Sequence, residues 1–75
     1  MARIKDIQAL RKDMVVQKND GVLSQTIVLT SDPYEKLKGE WFINTALQSD
    51  PNVTETLYLP KYGFGGTFSE HSLEN

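Results

Sequence analysis

His71 is the single histidine of the chain, and there is no cysteine. An imidazole titrates near neutral pH and is the commonest general acid or base. His71 ends the run Ser69-Glu70-His71, which has the residue types of a hydrolytic triad. Triad members meet through the fold rather than as chain neighbours, so the run is read as an exposed, idle histidine. One imidazole and no thiolate rule out a zinc site built on those ligands. Asp13, Asn19, Asp20 and Gly21 lack the ligand spacing of a calcium loop. Gly63-Phe64-Gly65-Gly66 suggests a phosphate loop, but neither Lys-Ser nor Lys-Thr follows it. The residues therefore predict a protein that is not an enzyme and holds no cofactor and no metal.

Binding chemistry is better represented. Seven aromatic residues fall between positions 34 and 68. Trp41, Phe42, Tyr58, Tyr62 and Phe64 are the expected partner-binding set, because buried aromatic side chains anchor protein interfaces. Trp41 and Phe42 are neighbours, so on a strand they face opposite ways and one of them leaves the core. The alternative partner is nucleic acid. Residues 1–20 carry Arg3, Lys5, Arg11, Lys12 and Lys18 against three carboxylates, and such cations contact phosphates. Tyr58, Tyr62 or Phe64 would then stack on bases. Against this, the whole chain carries a net charge of −2, whereas nucleic-acid-binding domains are usually basic.

These residues need elements to position them. Ile4, Ile7, Leu10 and Met14 follow the spacing of one helical face, which predicts a helix over 3–13. Val15 to Lys18 reads as a strand, Asn19-Asp20-Gly21 as a tight turn, and Val22 to Thr30 as a returning strand of alternating side chains. Asp32, Pro33 and Glu35 have the arrangement of a helix cap, which predicts a short helix at 33–38. Trp41, Ile43, Thr45 and Leu47 alternate with Phe42, Asn44 and Ala46, which predicts a strand at 40–47. One helix over 33–48 is the alternative. Ser49-Asp50-Pro51-Asn52 reads as a turn, and 53–59 as the hairpin partner of 40–47, ended by Pro60.

The expected fold is α+β: an N-terminal helix on a small antiparallel sheet of about four strands, with a short second helix and a flexible tail. Residues 1–62 form the expected compact domain, and 63–75 a mobile, glycine-rich polar tail. A chain of 75 residues has room for one domain, whose core rarely supplies more than ~3–5 kcal/mol unaided. With disulfides and metals excluded, self-association or a protein partner is the remaining aid. No apolar run reaches signal-peptide or membrane-span length, which predicts a cytoplasmic protein with no membrane partner. Asn52-Val53-Thr54 fits the glycosylation sequon, which has no use outside the secretory route. Small size and the lack of a motif match the pattern of phage and mobile-element accessory proteins. The reading is a small non-enzymatic interaction protein, acting as an assembly component, adaptor or inhibitor, with a homodimer as the expected self-associated form.

Overall fold

The computed structural model describes residues 2–64 and 70–75. Six antiparallel strands form one sheet: β1 (Val15–Asp20), β2 (Ser24–Leu29), β3 (Tyr34–Leu37), β4 (Glu40–Leu47), β5 (Thr54–Tyr58) and β6 (His71–Glu74). β1 pairs with β2 on one side and β6 on the other. β4 takes β2 and β3 along one edge and β5 along the other, because Ala46 pairs with both Val28 and Thr54 while Phe42 pairs with both Tyr34 and Tyr58. The spatial order is thus β6, β1, β2 with β3 in line, β4, β5.

The sheet is curled. β1 and β5 are three strand spacings apart, about 14 Å in a flat sheet. Side chains on one face of a flat sheet stand parallel, so their tips would keep that separation. Yet Lys18 Nζ of β1 lies 2.9 Å from Glu55 Oε1 of β5. The concave side holds the core, in which Leu29, Ile43, Leu59 and Leu73 are fully buried. Alternation then fixes the faces. Val16, Lys18, Ile27, Ile43, Thr45 and Leu57 point inward, while Gln17, Thr26, Phe42, Asn44 and Thr56 point outward.

The expected α+β arrangement does not form. Among the described residues there are two 3-10 turns, Ile7–Ala9 and Leu59–Tyr62, and no α-helix. The spacing of Ile4 and Leu10 predicts burial correctly, at 6% and 2% exposure, but not conformation. An isolated helix of that length is marginal in water, and β6 offers the backbone a better partner. Ile4 N–H donates to Leu73 O at 2.8 Å, and Arg3 bridges Glu74. One 3-10 turn, capped by Asp6 through Gln8 N–H, then carries the chain to Leu10.

The expected helix at 33–38 is strand β3. Its capping atoms are engaged elsewhere: Asp32 Oδ1 accepts from Lys12 N–H at 2.8 Å, and Glu35 Oε2 from Gly39 N–H at 2.7 Å. Glu35 therefore closes the β3–β4 turn, where Gly39 takes φ +83°. The strand expected at 40–47 matches β4, and its hairpin partner matches β5.

The flexible tail is corrected in part. His71–Glu74 is strand β6, paired with β1, with Ser72 and Leu73 buried. Phe64 is also core, at 3% exposure. The remainder of that expectation, 65–69, lies outside the described residues. No helix among the described residues is long and apolar enough to cross a membrane.

Candidate functional site

The outward face has two halves of different chemistry. Over β6, β1 and β2 it is a polar network. Gln17 Nε2 donates to Ser24 Oγ at 2.7 Å, Thr26 Oγ1 to Gln17 Oε1 at 3.0 Å, and Ser24 Oγ to Asn19 Oδ1 at 2.6 Å. Asn19 Nδ2 continues the network to Glu74, which also accepts from Ser72 Oγ. Side chains bonded to each other in this way offer few groups to a partner.

Over β3, β4 and β5 the face is aromatic. Register places Tyr34, Phe42 and Tyr58 side by side on three adjacent strands. Ring centroids are 6.0 Å apart for Tyr34–Phe42 and 5.5 Å for Phe42–Tyr58. Lys36 Nζ stands 5.3 Å from the Phe42 centroid, within cation–π range. The row is held in place from beside it. Asn44 Oδ1 accepts from Tyr34 Oη at 2.8 Å and from Thr56 Oγ1 at 3.0 Å. Tyr58, 39% exposed, hydrogen-bonds Glu40. That bond is the main cause holding the Tyr58 phenol above its ordinary value, with partial desolvation and the Glu40 charge adding to it.

The expected partner-binding residues divide. Phe42 and Tyr58 lie in this row. Trp41 turns inward and packs against the core, as its neighbour relation to Phe42 requires. Tyr62 and Phe64 are core residues, at 5% and 3% exposure. Tyr34 joins the row unannounced, because the capping residues around it read as a helix start. The Lys38-Gly39 turn pairs Leu37 with Glu40, and the register shift between Glu35 and Leu37 then sets Tyr34 opposite Phe42.

The basic set is dispersed. Lys18 points inward, 8% exposed, and is paired with Glu55. Arg3 sits at the β6 edge and bridges Glu74 in backbone register. Lys5, Arg11 and Lys12 are exposed along an irregular segment, so no single helical face gathers the five.

A second group of titratable residues lines a cleft of about 600 Å³ at the open end of the concave side: Lys18, Asp20, Glu55, Lys61, Tyr62 and His71. The His71 ring stands edge-on to Tyr62 at 5.7 Å; Ser69, the first residue of the Ser69-Glu70-His71 run, lies outside the described residues. Burial pushes the Tyr62 phenol up, and the carboxylates of Glu55 and Asp20 add to the shift. At neutral pH Tyr62 is thus a protonated hydroxyl, suited to hydrogen bonding rather than attack. Gly63, at φ +88°, closes the preceding 3-10 turn; Gly65 and Gly66 of the glycine run lie outside the described residues. No group of three or more metal-ligating residues occurs among the described residues.

Tyr62 sets an alkaline limit on stability. Its folded pKa exceeds the unfolded value near 10, so above pH 10 the unfolded chain loses a proton that the folded protein keeps. Stability is therefore intact below pH 10 and falls as pH rises toward the folded pKa. Urea titrations across this range should show a smaller alkaline loss for Tyr62→Phe than for the natural protein. Equal losses would mean that Tyr62 does not carry the effect.

No protein-family model, curated protein or solved structure matches the chain.

Proposed function

We propose that the protein is a cytoplasmic, non-enzymatic protein-interaction module whose contact surface is the aromatic row Tyr34–Phe42–Tyr58. The observation that carries this reading is the in-register row of three adjacent rings on the side of the sheet away from the core, ending at a partly exposed tyrosine. Aromatic side chains with few rotatable bonds lose little entropy on binding and dominate interface energetics. The row is already fixed by Asn44 and Glu40, so ordering it costs a partner little. Charges around it are mixed, with Lys36 and Lys38 beside Glu35 and Glu40, which suits a protein surface better than a polyanion. A chain without cysteine suits a reducing compartment.

The test is capture from the native host, read by mass spectrometry, with Tyr58→Ala as control. A single protein retained by the natural chain and lost with Tyr58→Ala supports the reading. Nucleic acid in the eluate, or capture unchanged by Tyr58→Ala, contradicts it.

A further inference from the structure

We propose that the partner enters as an extended peptide strand that pairs with the outer edge of β5. This rests on the reading of the β3–β4–β5 region as a protein contact surface and states how a partner would engage it. Among the described residues the sheet has three terminal edges, and they are treated differently. The β6 edge is covered by residues 2–4, through Ile4 N–H to Leu73 O and Asn75 N–H to Ala2 O. The β3 edge is blunted by the charges of Glu35 and Lys36 and by a register shift between Glu35 and Leu37, both devices that deter strand pairing. β5, Thr54-Glu55-Thr56-Leu57-Tyr58, has no bulge, proline or lysine. Its one charge, Glu55, faces inward and is neutralised by Lys18.

The backbone of β5 is oriented for such pairing. Leu47 N–H donates to Val53 O at 3.0 Å, one step along from the Ala46–Thr54 pair, which makes 47–53 a hydrogen-bonded position. Positions alternate in an antiparallel ladder, so Glu55 and Leu57 spend their backbone groups on β4. Thr54, Thr56 and Tyr58 turn theirs outward. Main-chain bonds of this kind supply affinity in strand addition, and alternate side chains supply specificity.

The space beside β5 fits one strand. Four consecutive residues, Glu55 to Tyr58, line the cleft of about 600 Å³. Side chains of both faces take part, so the strand meets the cleft edge-on. The opposite wall includes Val22 and Leu23 of the β1–β2 turn, 100% and 57% exposed. A second copy presenting its own β5 would bring its β4 to where that wall stands, so the geometry favours a single peptide segment. Its inward side chains would meet Leu23 and Leu57 and are expected to be apolar; its outward ones would lie beside Thr56 and Tyr58.

The test uses the full chain and a displayed library of random peptides, roughly twelve residues long. A selected peptide should slow exchange of the Thr56 and Tyr58 amides by about tenfold or more on binding, with those of Glu55 and Leu57 already slow. Thr56→Pro removes an outward N–H without breaking the β4 ladder, which an edge position tolerates, and should weaken binding about tenfold or more. If that variant loses the protection of Leu57, Thr54→Pro makes the same test at the start of the strand. Three results would overturn strand addition: enrichment of no peptide, binding that leaves Thr56 and Tyr58 unprotected, or protection that grows with protein concentration alone. Should bound peptides perturb Phe42 and Tyr34 without protecting the β5 amides, strand addition fails while the aromatic contact surface stands.

Discussion

Leu73→Ala is expected to destabilise the protein by about 2–5 kcal/mol, the range for truncating a buried leucine. Leu73 lies two residues before Asn75 in a polar, glycine-preceded segment, yet it is fully buried. Its β6 neighbours pair with β1 from Gln17 to Asp20, and its carbonyl accepts the Ile4 amide. The substitution therefore leaves a cavity where β6, β1 and the N-terminal arm meet. A domain of this length has a net stability of roughly 4–11 kcal/mol at ~0.05–0.15 kcal/mol per residue, so the loss would be visible as a large drop in denaturation midpoint. A surface substitution on a mobile tail costs about 0.5 kcal/mol or less. An effect that small, by urea or thermal denaturation, would show that β6 does not belong to the sheet.

The second large effect is an asymmetry across the Lys18–Glu55 pair. The Lys18 side chain is 10% exposed and that of Glu55 54%. Removing the carboxylate with Glu55→Gln leaves an ammonium on the concave side without its charge partner. Breaking a fully buried pair this way costs ~3–5 kcal/mol; water at the Glu55 end screens the interaction, and about 1–3 kcal/mol is expected here. Removing the ammonium with Lys18→Met leaves a carboxylate that water can solvate, and a side chain of similar length fills the lysine's apolar path. That change should cost less than about 1 kcal/mol. Equal losses for the two variants would mean that the pair behaves as a surface ion pair and that β1 and β5 are not drawn together as described.

The pattern of the sequence carries much of the sheet. The alternation over 40–47 and 53–59 and the turn residues Asp20-Gly21 point to β4, β5 and the β1–β2 hairpin, because a period of two has no other regular interpretation. Two features mislead for a physical reason. Asp32, Pro33 and Glu35 have the chemistry of a helix cap, but the same oxygens satisfy Lys12 and Gly39 amides that only the folded chain brings near. Ile4, Ile7 and Leu10 have helical spacing, but burial is required only of the side chains, and an extended arm beside β6 meets it. Of the site, Phe42 and Tyr58 are legible from type and alternation. Tyr34 is not, because its place depends on reading β3 as a strand. The burial of Tyr62 and Phe64 depends on the 3-10 turn at Leu59–Tyr62, whose Leu59 and Tyr62 pack into the core, and no local periodicity announces it.

The most direct test is a backbone and side-chain chemical-shift map of the isotopically labelled chain bound to its captured partner. The largest changes are expected on Tyr34, Phe42 and Tyr58 and on the β5 amides, with Arg3, Lys5, Arg11 and Lys12 little altered and the affinity only weakly dependent on salt. Changes centred on Arg3, Lys5, Arg11 and Lys12, with affinity falling steeply as salt rises and the aromatic row unmoved, would contradict it.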